Sequence, residues 1–206
     1  DKTGTLTQNE MTVVRGSAGA CNFKVTGEGY VPKGEFFVDG QGFAAKDDPD
    51  VHLLLRGALL CNDATLHEGR QDDGQSAWRI VGDPTEAALI VAAAKGGLWR
   101  DDLTGRLPRV QEIPFDSDRK RMSTIHQVGG APDMVATIGG TVVAFVKGAP
   151  DVILDLCTRR IESGHVAELT PEARAAILAQ NRDMASSALR VLAVACRPLD
   201  AVPDTP

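Results

Sequence analysis

Residues 109–128 read RVQEIPFDSDRKRMSTIHQV. Two runs of strand composition, Arg109–Phe115 and Arg121–Val128, flank a polar, basic segment. Elsewhere, Phe36-Phe37-Val38 meets Gly42-Phe43 across Asp39-Gly40, a dipeptide suited to a two-residue hairpin turn. Met134–Ile138 and Thr141–Val146 read as a further hairpin around Gly139-Gly140. Met11–Gly16 and Cys21–Thr26 read as strands separated by a small-residue turn, Trp78–Val81 as a short strand, and Arg190–Cys196 as a last buried strand. Strands joined mostly through hairpins build antiparallel sheets, so the fold class is α+β, with an antiparallel β-sheet of about six to seven strands flanked by helices.

The helices fall between these strands. Asp50–Cys61 has helical periodicity after Pro49. Asp83-Pro84-Thr85-Glu86 opens a second helix, with Asp83 suited to the N-cap, Pro84 to the first helical position and Glu86 to the third. It runs to about Lys95 and stops at Gly96-Gly97. A short helix near Leu98–Leu103, one over Ala149–Cys157 and one from Thr170-Pro171-Glu172 to about Ser187 complete the set. Residues 67–76 read as a polar loop, and the tail Pro198–Pro206 as a linker.

Composition narrows the function. Of 206 residues, 43% are hydrophobic and only 4% aromatic, so the core is built mainly from Val, Ile, Leu and Ala. The net charge of −6 argues against nucleic acid as a partner, because phosphate-backbone binding relies on clustered Lys and Arg. The longest apolar run, Ala87–Ala94, is far below the ~18 residues of a membrane span. Cys21, Cys61, Cys157 and Cys196 form no CxxC pair and read as buried, reduced thiols. His52, His67, His126 and His165 form no ligand pattern. The chain opens on Asp1 without an initiator Met, which suggests a piece of a longer protein.

The first seven residues, Asp1-Lys2-Thr3-Gly4-Thr5-Leu6-Thr7, place a carboxylate nucleophile at a tight turn beside a cation and backbone N–H donors. Phosphoryl transfer to a carboxylate needs those features, since its catalysis is mostly positioning and charge stabilisation. No GxxxxGK[ST] or GxGxxG occurs, so neither a P-loop nor a dinucleotide fingerprint is present.

DKTGTLTQNEMTV resembles the phosphorylation signature of P-type cation-transporting ATPases, with an uninterrupted match from Asp1 to Val13. The resemblance implies that Asp1 is the aspartyl-phosphate acceptor of the parent pump. Lys2 and Thr3 would hold the transferred phosphate, and Asp1 and Thr3 the magnesium. Three later segments resemble that family's nucleotide-binding domain, in the right order. Gly82–Leu89 (GDPTEAAL) is similar to its helix-opening motif, whose glutamate, here Glu86, faces the adenine. Pro114–Ser123 (PFDSDRKRMS) is similar to the segment whose phenylalanine, here Phe115, stacks on the adenine. Lys147-Gly148-Ala149-Pro150-Asp151 is similar to KGAPE, whose lysine lies behind the adenine, with Asp151 in place of Glu. Arg190 matches an arginine that reaches the phosphates or ribose. Where the better-known calcium pumps carry an arginine two residues after the stacking phenylalanine, this chain has Ser117, which puts a phosphate contact from that site in doubt.

Each of these residues also has a plainer role open to it in the sequence. An isolated Phe is ordinarily a core residue, although the polar run after Phe115 favours an exposed ring. Glu86 can complete a capping box and still accept a hydrogen bond from the adenine amino group. Lys147 reads equally as a solvated strand-end lysine, Lys120 as positive charge near the phosphates or as a surface lysine, and Arg190 as half of a structural ion pair. Asp83 belongs to the ATP-binding set as the cap of the Glu86 helix, and Gly148 as a place where backbone can approach a ligand.

The resemblance implies three segments: residues 1–9 as phosphorylation-motif stub and hinge, 10–198 as the nucleotide-binding domain, and 199–206 as a second hinge. It implies ATP with Mg2+ as the ligand, and the phosphorylation, actuator and transmembrane domains of the same pump as partners. It also implies a position on the cytoplasmic side of a membrane, with the isolated piece monomeric. Two other readings compete. A haloacid-dehalogenase-like phosphatase would want a second Asp where Thr3 stands and a parallel sheet. A non-catalytic interaction domain leaves Glu86, Phe115 and Lys147 unexplained.

Overall fold

The computed structural model describes residues 10–70 and 76–204. The chain packs as two compact units. One is built from residues up to Ser17 with Cys21–Trp99, the other from Ala18–Ala20 with the chain from Arg100 onward.

β1 (Arg15–Ala18), which belongs to the first unit as far as Ser17, forms a sheet in sequence order with β2 (Cys21–Val25), β3 (Phe36–Val38) and β4 (Gln41–Phe43). Asp39 and Gly40 both adopt positive φ, 50° and 81°, as a tight hairpin with this twist requires. The register sets Phe36 opposite Phe43, and Phe23 joins them in a cluster with ring centroids 5.7, 6.4 and 6.0 Å apart. Gly16 makes that cluster possible, because a Cβ there would lie 2.3 Å from the Phe23 ring.

Two helices follow the sheet. α1 (Pro49–Leu60) begins at Asp48, whose side chain accepts from the N–H groups of Asp50 and Val51 at 3.0 Å each. α2 (Pro84–Lys95) begins at Asp83 and ends at Gly96, as the sequence predicts. It buries Ala87, Ala88 and every residue from Ile90 to Ala94, the pattern of a helix enclosed on most sides, and it packs on α1. Between the helices, β5 (Thr65–Arg70) pairs with β6 (Ser76–Val81). The expected polar loop over 67–76 is therefore strand as far as Arg70, with 71–75 outside the described residues. A two-stranded ribbon can stay polar, so its sequence lacks the apolar alternation that marks a strand.

The second unit contains α3 (Arg100–Thr104), β7 (Arg109–Asp116), β8 (Arg121–Gln127), α4 (Pro132–Ile138), β9 (Val142–Gly148), α5 (Pro150–Asp155), β10 (Arg159–Glu162), β11 (His165–Glu168), α6 (Pro171–Ser186) and β12 (Ala193–Leu199). Its main sheet is antiparallel in the order β12-β9-β8-β7. Phe145, Leu107, Met122, Met134, Val128 and Val143 fill the core, joined by the polar Thr124 and His126. His126 is structural: its Nδ1 lies 3.0 Å from the Leu107 carbonyl and its ring meets Phe145 edge-on.

The antiparallel α+β class is as the sequence indicated, with the strands of the described residues divided among four sheets. Four local readings change. Residues 134–138 belong to helix α4, not a strand: Pro132 starts the helix, Met134 and Ile138 share its buried face, and Gly139 ends it at φ 87°. The β10–β11 hairpin was not foreseen, because its strands are short and charged and its one signal is Ser163-Gly164, both at positive φ. The first strand begins at Arg15 rather than Met11. The last spans Ala193–Leu199 and is only half-buried. It tolerates Pro198 because β12 is an edge strand. Beyond it, the Pro203 carbonyl accepts from Gln111 Nε2, so the tail is tied to β7.

All four cysteines are free among the described residues, but only Cys61 is fully buried. The Cys21 thiol is pushed up to about 11 by burial and by the Asp48 carboxylate, which also accepts its hydrogen bond, with Asp50 adding to the effect. Asp48→Ala removes the α1 cap and that charge together. It should lower stability by about 1 kcal/mol in thermal unfolding, and alkylation followed by mass spectrometry should find Cys21 titrating below its wild-type value.

Candidate functional site

Asp1, Lys2 and Thr3 lie outside the described residues. The other candidates fall in different units: Asp83 and Glu86 in the first, and Phe115, Lys120, Lys147, Gly148 and Arg190 in the second.

In the second unit, the turn between β7 and β8 is wrapped around Asp116. Its Oδ1 accepts from the N–H groups of Asp118 at 2.9 Å and Arg119 at 2.8 Å, and its carbonyl accepts from Lys120 N at 2.7 Å. Lys120 is exposed and takes a left-handed φ of 53° to close the wrap. Pairing of β7 with β8 is irregular between Ile113 and Asp116, where Pro114 has no N–H to give. Phe115 stands in that break with 65% of its surface exposed. It is not a core residue.

Lys147 lies on β9, opposite Met122 of β8 and Val194 of β12. Directly opposed residues of an antiparallel sheet share a face, so the lysine stem lies between these two apolar side chains. It is only 6% exposed, which rules out a solvated strand-end lysine. Met122 pairs with Lys147, and the β7–β8 register skips from Ile113–Ser123 to Asp116–Arg121, so the irregular stretch of β7 that faces Met122 is Pro114-Phe115. Arg119 is half-buried in the same turn, and its carbonyl accepts from Arg121 NH1 at 3.1 Å. Arg190 is exposed in the α6–β12 connection, ahead of Ala193, which pairs with Gly148. It precedes the last strand rather than starting it.

Gly148 is explained by the chain itself. A Cβ there would lie 2.4 Å from the Lys120 carbonyl oxygen and 2.8 Å from Arg121 Cβ. The same carbonyl accepts from Ala149 N at 3.1 Å. The backbone that approaches Gly148 is thus the β7–β8 turn.

In the first unit, Glu86 sits in the opening turn of α2. Its Oε2 accepts from Asp63 N at 3.1 Å and its carbonyl accepts from Asn62 Nδ2 at 3.0 Å. Asn62 is fully buried, and its Oδ1 accepts from Ala64 N at 2.9 Å, so one side chain ties the end of α1 to the start of α2. Nothing in the sequence marks Asn62, whose tie to α2 depends on a partner 24 residues along the chain. Asp83 is exposed and caps α2, accepting from Thr85 N at 2.7 Å and Glu86 N at 3.4 Å.

Residues 50–204 match the family described as P-type ATPase, cytoplasmic domain N. The chain belongs to that family. It is 36% identical over 201 residues to a calcium-transporting ATPase of Bacillus subtilis, covering 98% of this chain and 21% of that protein. It is 39% identical over 202 residues to calcium-transporting ATPase 1 of Lactococcus lactis, covering 97% and 19%. It is 35% identical over 202 residues to calcium-transporting ATPase type 2C member 1 of Bos taurus, covering 96% and 19%. The chain spans about a fifth of the length of these curated relatives.

Among the described residues of this N domain, no group of three or more His, Cys, Asp or Glu is placed to hold a metal ion, and no helix is long and apolar enough to cross a membrane. A shallow hollow of about 520 Å³, bordered by Arg106, Gln127, Gly130 and Val142, includes none of the candidate residues. It lies at the opposite end of β8 and β9 from Lys147, since Gln127 pairs with Val142 and Arg121 with Gly148.

Gly148→Ala should destabilise the N domain by about 2 kcal/mol or more, because the neighbour that must give way is backbone. Gly105→Ala, with no atom within 4 Å of the new Cβ, should stay near wild type. Urea unfolding of the two variants gives the comparison.

Proposed function

We propose that this N domain binds the adenine of ATP and, in the full-length pump, delivers the γ-phosphate to Asp1. The observation that carries the reading is the exposed Phe115 ring, in the break at Pro114 that faces Met122, the β8 partner of the buried Lys147. A single exposed phenylalanine needs no explanation. One that stands beside a buried lysine and a basic turn offers a stacking face with positive charge close by. Phe115 stacks on the purine, Lys147 closes the back of its site, and Glu86 accepts from the exocyclic amino group. Asp83 holds the helix start that carries Glu86, while Lys120 and Arg190 draw in the phosphates. Gly148 serves by keeping the β7–β8 turn in place.

The Asp1 carboxylate then attacks the γ-phosphorus, the bond to the β-phosphate oxygen breaks, and ADP leaves. Lys2 and Thr3 hold the transferred phosphoryl group. Asp1 and Thr3 would hold a magnesium ion, which would supply charge neutralisation when bound. The phosphorylation, actuator and transmembrane domains of the same polypeptide are the partners, and phosphorylation drives cation movement through domain closure. The names of the relatives favour calcium as the cation. This placement puts the domain on the cytoplasmic side of the membrane, and the isolated domain is monomeric.

No phosphate-cradling loop is present in the sequence, so recognition rests on the adenine. ATP, ADP and AMP should bind within a modest factor of one another, with Kd on the order of 0.1–1 mM. Phe115→Ala should lower ATP affinity by about 1–3 kcal/mol without changing the melting temperature. Lys147→Met, which preserves packing against Met122 and Val194, should also weaken binding in a folded protein. Amide-shift titrations with the three nucleotides test this. Sub-micromolar ATP binding that vanishes for AMP, or undiminished binding by Phe115→Ala, would place the site elsewhere.

A further inference from the structure

Lys95 is the last residue of α2, and its ammonium is turned onto backbone. Nζ donates to the carbonyls of Thr26 at 2.8 Å and Gly27 at 2.9 Å, in the segment that joins β2 to β3. That segment is closed at its neck: Thr26 N donates to the Glu35 carbonyl at 3.0 Å, and Glu35 N to Thr26 Oγ1 at 2.9 Å. Two glycines let the strands of the neck touch. A Cβ on Gly34 would lie 2.1 Å from the Thr26 carbonyl oxygen, and one on Gly27, at φ 83°, would lie 2.1 Å from that of Lys33. Burial lowers the Lys95 pKa, so these carbonyls take the place of water around the charge.

The far end of the segment reaches the other end of the helix. Gly29 lies against Glu10, whose Oε2 would be 2.6 Å from a Cβ on that glycine. Tyr30, the one tyrosine of the chain, has its phenol pKa raised by burial and then by the carboxylates of Glu10 and Asp83. Thr85 in the opening turn of α2 lies 3.5 Å, Oγ1 to Sδ, from Met11, the residue after Glu10, so this end of the segment stands near the cap of α2.

We propose that Lys95 is a positioning residue for the nucleotide site: it fastens the 26–35 segment along α2 so that Tyr30 borders the adenine beside the helix start carrying Glu86. This rests on the reading of Glu86 as the residue that faces the base. The sequence gives little hint of it, because Lys95 looks like an ordinary cation closing the last turn of a helix.

Tyrosine labelled with carbon-13 at Cζ gives a single resonance in the full chain, a direct report on the far end of the segment. In Lys95→Met that resonance should move toward the value of a solvated tyrosine, and ATP affinity should fall about three- to ten-fold. Lys95→Arg, which can donate to the same carbonyls, should keep both near wild type. Tyr30→Ala should weaken ATP by a similar factor with Lys95 intact, and it provides the test if Lys95→Met fails to fold. An unmoved Tyr30 resonance in Lys95→Met would remove the fastening. A moved resonance with ATP affinity unchanged, or full affinity in Tyr30→Ala, would remove Tyr30 from the site. A wild-type chain that binds no adenine nucleotide at all is a separate result, and it would sink the nucleotide reading and this inference together.

Discussion

The carbonyl of Lys120 occupies the space that a side chain on residue 148 would need, and much of the second unit follows from that contact. It holds the end of β9 against the β7–β8 turn and, through Ala149 N, fixes where α5 begins. The turn bears a cost, since Lys120 adopts a conformation roughly 1 kcal/mol unfavourable for a residue with a side chain. Three hydrogen bonds to Asp116 offset it. The residue before the glycine is thereby turned into the sheet as a buried lysine, and the residue before the aspartate is turned out as an exposed phenylalanine.

The sequence was most legible where local chemistry decides the conformation. The start of α2 at Asp83-Pro84 and the Asp39-Gly40 turn depend on residues adjacent in the chain, and both stand where the sequence places them. It was least legible where distant partners decide. Met134–Ile138 carries too few residues to separate a strand from one face of a helix, and only burial of Met134 and Ile138 together resolves it. The β10–β11 ribbon, with charged strands, offers no apolar period at all. Of the candidate site, the exposure of Phe115 is legible in the polar residues after it, whereas the burial of Lys147 is not, because a lysine near the end of a strand reads equally as solvated. The true reason for Gly148, the tie through Asn62 and the tail bond to Gln111 each need a tertiary neighbour that no sequence window contains.

Local rules also account for how the motifs are distributed. The helix-opening segment Gly82–Leu89 lies before Arg100, where the second unit takes over, and the segments at 114–123 and 147–151 lie after it. Each unit positions its own candidate residues with a different device. The first uses a capped helix and a buried asparagine, the second a strained turn and an obligatory glycine. A substitution that unsettles Glu86 therefore acts through the α1–α2 junction, whereas one that unsettles Phe115 acts through the hairpin around Asp116.

β12 lies at the edge of the second unit's sheet and is only half-buried, yet it carries an exposed arginine and then a proline, Arg197-Pro198. An unpaired strand edge is a template on which another chain can add its own strand. Here the proline withholds a donor from any such partner, and the neighbouring guanidinium makes a flat apolar approach unfavourable. The domain is thus guarded against strand-by-strand self-association at an open flank of its main sheet, a protection that matters most while nascent chains are crowded and incompletely assembled.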